Sequence, residues 1–115
     1  MRSTIGGVRD SKNGNGVSSL LRTRTMLYLV IEHFVDGDPL PIYRRFAERG
    51  RLAPEGLRYV ASWVTTAHDR CYQVMECDDR ALLDQWMAAW DDIVRFEVVP
   101  VVTSAEVVAA LAPEL

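Results

Sequence analysis

Two hydrophobic periods alternate along the chain. From Met26 to Phe34, Leu27, Leu29 and Ile31 fall on one face of an extended segment, and Tyr28, Val30, Glu32 and Phe34 on the other. Both faces are mostly apolar, as in a strand covered on both sides. Asp36-Gly37-Asp38 is a turn, and Pro39-Leu40-Pro41 opens a helix with Asp36 or Asp38 as its cap. That helix runs to about Arg49, with Leu40, Ile42, Tyr43, Phe46 and Ala47 as its apolar stripe and Gly50 as its C-terminal glycine. Residues 51–56 form a loop that turns at Pro54-Glu55-Gly56.

A second strand is predicted over 57–66, where Leu57, Tyr59, Ala61 and Trp63 alternate with Arg58, Val60, Ser62 and Val64. The short Ala67-His68-Asp69 joins it to a third strand, Arg70–Cys77, as an antiparallel hairpin. Asp78 or Asp79 caps a second helix from 80 to about 92, with Leu82, Leu83, Trp86, Met87, Trp90 and Ile93 at helical spacing. Arg80 and Asp84 form an exposed i,i+4 pair. Asp91-Asp92 sits at the negative end of that helix, against its dipole, a local violation that is either functional or answered by a basic side chain such as Arg95. A fourth strand follows over 95–102, and Ser104 caps a short closing helix over 105–111.

The order β-α-β-β-α-β plus a terminal helix predicts an α+β domain of ferredoxin-like type. Right-handed crossovers put both helices on one face of a four-stranded antiparallel sheet. The strands carry more apolar side chains than one face can hold, among them Tyr28, Val30, Phe34, Tyr59, Trp63, Tyr72, Val74 and Phe96. A bare apolar sheet of that size invites a partner. The expected partner is a second copy packed sheet to sheet, a homodimer with a cavity between the sheets and a small apolar or aromatic ligand within it.

Several of these residues carry a family resemblance. Glu76-Cys77-Asp78-Asp79, Trp86, Trp90-Asp91-Asp92 and Phe96-Glu97-Val98-Val99-Pro100-Val101, with Gly50-Arg51, Pro54-Glu55-Gly56-Leu57 and Ser62-Trp63, resemble an uncharacterised bacterial family of domains of unknown function. That family is placed in the dimeric α/β barrel superfamily. The resemblance covers about residues 26–102 and implies the fold and a dimer. It implies no activity. The wider superfamily includes cofactor-independent monooxygenases, haem-degrading enzymes, lactone isomerases and amino-acid-sensing modules, and no catalytic signature of any of them matches residue by residue.

Composition narrows the function classes. A chain of 115 residues, 49% apolar and 25% charged, is one soluble globular domain. Residues 1–25 hold five basic side chains against Asp10, a net of +4, and are rich in Gly, Ser and Asn. They read as a disordered tail preceding a domain over 26–115. The alternatives are a transit peptide, or a start codon assigned upstream of the true one at Met26. Residues 26–115 hold 8 basic and 15 acidic side chains, a net of −7, which disfavours nucleic acid. No apolar run approaches the roughly 20 residues of a membrane span. Cys71 and Cys77, six residues apart on one strand, are about 20 Å apart, too far for a disulfide. They read as reduced thiols of a cytoplasmic protein.

The candidate chemistry is sparse. Glu32 and His33 are strand neighbours and point to opposite faces, so one of them enters a cavity as a proton carrier, or both are strand-end residues. Glu76 and Glu97 stand among valines and aromatics. They either contact a ligand or pair with Arg58, Arg70 or Arg95, and the salt-bridge reading takes precedence. Tyr59, Trp63 and Tyr72 line a ligand cavity or pack a dimer core. Trp86 and Trp90 read as core between helix and sheet. Arg44, Arg45, Arg49 and Arg51 read as a solvated basic face with an anion site as the alternative. No metal-binding spacing links His33, His68, Cys71 and Cys77, so no metal and no cofactor are expected. The leading reading is a ligand-binding homodimer. The alternative is a cofactor-independent monooxygenase or isomerase using a cavity carboxylate or His33.

Overall fold

The computed structural model describes residues 25–115; the expected N-terminal tail lies outside them apart from Thr25. Strand β1 (Met26–Phe34) runs through a short 3-10 turn into helix α1 (Leu40–Arg49). Strands β2 (Arg58–Val64) and β3 (Arg70–Cys77) make the hairpin. Helix α2 (Arg80–Ala88), strand β4 (Val94–Val101) and helix α3 (Ser104–Leu111) complete the domain. The sheet is four-stranded and antiparallel, in the order β2-β3-β1-β4. This is an α+β fold consistent with the ferredoxin-like arrangement.

Local chemistry sets the element ends. The Asp38 side chain accepts from the Leu40 N–H at 3.0 Å, and Asp79 accepts from the Ala81 N–H at 2.9 Å. Thr103, rather than Ser104, caps α3 in a reciprocal capping box with Glu106. Helix α2 stops at Ala88, short of the expected 92. Ala89, Trp90 and Ile93 donate to carbonyls three residues back, which tightens the last turn. Gly56 sits at φ 94°, a backbone conformation that L side chains rarely adopt, and a Cβ there would also push Leu82 Cδ1 aside from 2.9 Å.

Strand register assigns the faces that sequence alone leaves open. Tyr28, Val30, Glu32 and Phe34 point under the helices, beside Cys71, Gln73, Met75 and Cys77 of β3. Met75, Leu83, Val30, Val94 and Cys77 form the fully buried centre, with Trp86 and Trp90 against it. Tyr28, Val30 and Phe34 are thus core, and the uncovered face is built from their alternates. There Leu29 lies between Val74 and Val99. Strand β2 departs from simple alternation, because its register shifts between Tyr59 and Ala61. Tyr59 pairs with Met75 on the helix side, whereas Trp63 pairs with Tyr72 on the uncovered side. The expected stripe of α1 is also narrower: Ile42 is buried, but Leu40, Tyr43 and Phe46 remain substantially exposed.

Candidate functional site

A cavity of about 190 Å³ opens between the sheet and α1, within a single chain. Its floor is the helix-facing side of β1 and β3, which supplies Glu32, Phe34, Cys71 and Gln73. Ile42, Tyr43 and Phe46 of α1 form one wall, and Trp86 and Trp90 another. Arg51 and Ser62 contribute the remaining polar groups.

Arg51 follows the helix-ending Gly50, whose φ of 72° turns the chain back over the sheet. The Arg51 guanidinium donates from Nη1 to Gln73 Oε1 at 2.9 Å. It lies 3.9 Å from the Tyr59 ring centre and 5.3 Å from that of Phe46, held between two aromatic faces. The backbone oxygen of Arg51 accepts both indole N–H groups, of Trp86 and Trp90, at 3.0 Å each. The Tyr59 and Ser62 hydroxyls meet at 2.8 Å beside it.

Glu32 is 8% exposed, between Cys71 on β3 and Phe96 on β4. No described residue gives its carboxyl a hydrogen bond or an ion pair. Burial pushes its pKa up to about 7, against the opposing pull of the Arg51 charge. Burial likewise pushes the Cys71 thiol up to about 12, with the Glu32 charge adding to it. The Tyr43 phenol is raised as well, first by burial and then by Cys71 and Glu32.

The remaining sequence candidates lie elsewhere. His33 and Glu97 meet at 2.6 Å on the uncovered face, so Glu97 pairs with a histidine and not with an arginine. Glu76 accepts from Arg58 Nε at 2.9 Å, as the salt-bridge reading expects. Tyr72 accepts from Arg70 at 3.2 Å beside the exposed Trp63. Of the seven candidates, the cavity holds Glu32, and Tyr59 flanks it through Arg51. Arg51, read from sequence as part of a solvated basic face, and Cys71, read as a reduced thiol, both line the cavity, and Gln73 is the polar lining residue that sequence reasoning passed over. Gln73 left one signal, a polar residue in the buried alternation Cys71-Gln73-Met75-Cys77.

The basic cluster around α1 does not act as one patch. Arg45 forms a two-pronged pair with Asp92 at 2.9 and 2.7 Å and also donates to the Ala89 carbonyl. It answers the acid at the helix end, while Arg95 donates to the Asp91 carbonyl at 2.8 Å. Among the described residues, no group of three or more His, Cys, Asp or Glu is placed to hold a metal. No helix among them is long and apolar enough to cross a membrane.

No curated protein and no solved structure matches the chain. A family model does, over residues 26–115, nearly the whole described domain. The chain belongs to that family, a domain of unknown function designated DUF3303.

Proposed function

We propose that this domain binds a small apolar or aromatic molecule in the cavity between its sheet and α1. The observation that carries the reading is Glu32, a carboxyl 8% exposed, facing the cavity without a partner among the described residues. A buried polar group without a hydrogen bond costs about 1–3 kcal/mol. A fold that keeps one at a cavity wall keeps it for something that enters. The aromatic walls suit a ring, and a few convergent polar groups in an apolar pocket are the usual composition of a ligand site. The test is calorimetric titration of the full chain with single-ring compounds, toluene and phenol among them. One-to-one binding with a change in tryptophan fluorescence is expected. Absence of binding by every ring compound overturns the reading.

A second reading makes the domain an enzyme of the cofactor-independent oxygenase or isomerase type, with Glu32 as its proton carrier. A carboxyl with its pKa near 7 in a water-poor pocket is matched to proton transfer at neutral pH. Such a domain accelerates exchange of the α-protons of cyclohexanone into deuterated water, followed by proton magnetic resonance, and Glu32→Gln abolishes the effect. Unchanged exchange removes this reading and leaves the binding site in place.

The uncovered sheet face supports a homodimer formed sheet to sheet. Trp63 stands there 62% exposed, with Val99 also exposed and Leu27, Leu29 and Ile31 half-buried. The two buried, unpaired cysteines support a cytoplasmic location.

A further inference from the structure

We propose that the cavity selects a ring bearing a neutral hydroxyl group, a phenol, whose oxygen bridges Glu32 and Arg51. This rests on the cavity being a ligand site and names what the site distinguishes.

Volume sets the ring. An engineered cavity of about 150 Å³ in an unrelated protein holds benzene, and one water takes about 30 Å³ of liquid. The 190 Å³ here holds one ring with one or two further non-hydrogen atoms. The hydrocarbon part meets Phe34, Ile42, Phe46, Trp86 and Trp90.

Charge and hydrogen bonding set the substituent. Glu32 and Arg51 line the same cavity, yet they do not close into an ion pair with each other. Arg51 gives Nη1 to Gln73, one of five N–H donors on the fork. The carboxylate accepts from no described residue. A group that satisfies both must accept from a guanidinium and donate to a carboxylate through the same small space. A hydroxyl does this with a single oxygen. An ether accepts but cannot donate, which leaves Glu32 as it was. A ligand carboxylate meets Arg51 but is pressed against Glu32, and an ammonium meets Glu32 but is pressed against Arg51. A bare hydrocarbon satisfies neither group.

The experiment titrates the full chain with phenol, anisole, toluene and benzoate at about pH 8, above the range in which Glu32 takes up its proton. Phenol is expected to bind about tenfold or more tighter than each of the others, the factor that corresponds to one hydrogen bond to a charged group. In Glu32→Leu the preference for phenol over toluene disappears while toluene still binds, which also shows that the cavity has kept its shape. Anisole or toluene binding within about twofold of phenol, well under one hydrogen bond's worth, overturns hydroxyl selection and leaves the ligand cavity standing. Benzoate binding tighter than phenol overturns it in favour of an anion site. If no probe binds, the proposal and the ligand site beneath it fall together.

Discussion

Trp86 and Trp90 donate to one acceptor, the backbone carbonyl oxygen of Arg51, each at 3.0 Å. Both lone pairs of that oxygen are occupied. The residues on either side, Gly50 at φ 72° and Leu52 at φ 64°, lie in the left-handed region. For leucine this conformation is unfavourable by about 1–2 kcal/mol. The paired indoles hold this strained turn in place, and the turn delivers the guanidinium to the cavity.

The shared acceptor has a measurable signature. Trp86→Phe or Trp90→Phe keeps an apolar ring and removes one donor, so each lowers stability by about 1 kcal/mol. Either single variant leaves the carbonyl with one partner. The double variant leaves it with none, so its loss is expected to exceed the sum of the two. Urea unfolding of the four proteins measures the excess. Simple additivity means that the shared oxygen is not what couples them.

Glu32 makes stability fall as pH rises. Its ordinary value of 4.5 becomes about 7 in the folded chain. Between those values the folded state holds a proton that the unfolded state has lost, and protonation therefore favours folding. The contribution is complete below 4.5, declines through the window and is gone once pH passes about 7. The loss across the window is at most about 3 kcal/mol. The titratable groups lining the cavity with Glu32 are Arg51, Cys71 and Tyr43, and burial raises the Cys71 thiol and the Tyr43 phenol, which stay neutral across this range. Glu32→Gln is expected to flatten this part of the pH–stability curve and to be the more stable protein at about pH 8. An unchanged slope in the variant shows that Glu32 does not carry the dependence.

The element order was legible because its signals are local. Strand alternation, the short hairpin turn and the acidic cap before α2 all lie within a few residues of what they determine. The faces were not legible, because β1 is apolar on both sides. Pairing puts Glu32 beside Cys71 and Leu29 beside Val74, and the burial of the first pair tells which side the helices cover. On β2, one register shift separates Tyr59 from Trp63, two residues that alternation puts together. The site suffered most, since its contacts are distant in the chain. Arg51 reaches Gln73 across 22 positions and Arg45 reaches Asp92 across 47. An arginine at a helix end carries no mark in sequence of which distant group it meets.

The same face assignment separates two neighbouring substitutions. Val30 is 0% exposed beneath the helices. Val30→Asp buries an unpaired carboxyl and is expected to cost several kcal/mol, enough to prevent folding. Leu29 lies on the uncovered side between Val74 and Val99. If two copies meet there, Leu29→Asp gives a folded monomer with an unchanged circular dichroism spectrum, while the parent sediments as a dimer. A monomeric parent, or a Leu29→Asp protein that remains dimeric, removes the sheet-to-sheet dimer.

The two thiols provide an independent view of the cavity. Cys71 lines it, whereas Cys77 is fully buried and is not among its lining residues. The thiolate is the reactive form, and burial pushes Cys71 up to about 12. At about pH 8 the reactive fraction is then on the order of one in ten thousand. Both cysteines are expected to react with iodoacetamide far more slowly in the folded chain than after denaturation. A ring in the cavity stands between reagent and Cys71 but not at Cys77. Saturating toluene therefore slows modification of Cys71, resolved by peptide mass, and changes Cys77 only as far as it stabilises the whole fold. If the two slow equally, the ring acts through global stability and does not occupy the cavity beside Cys71.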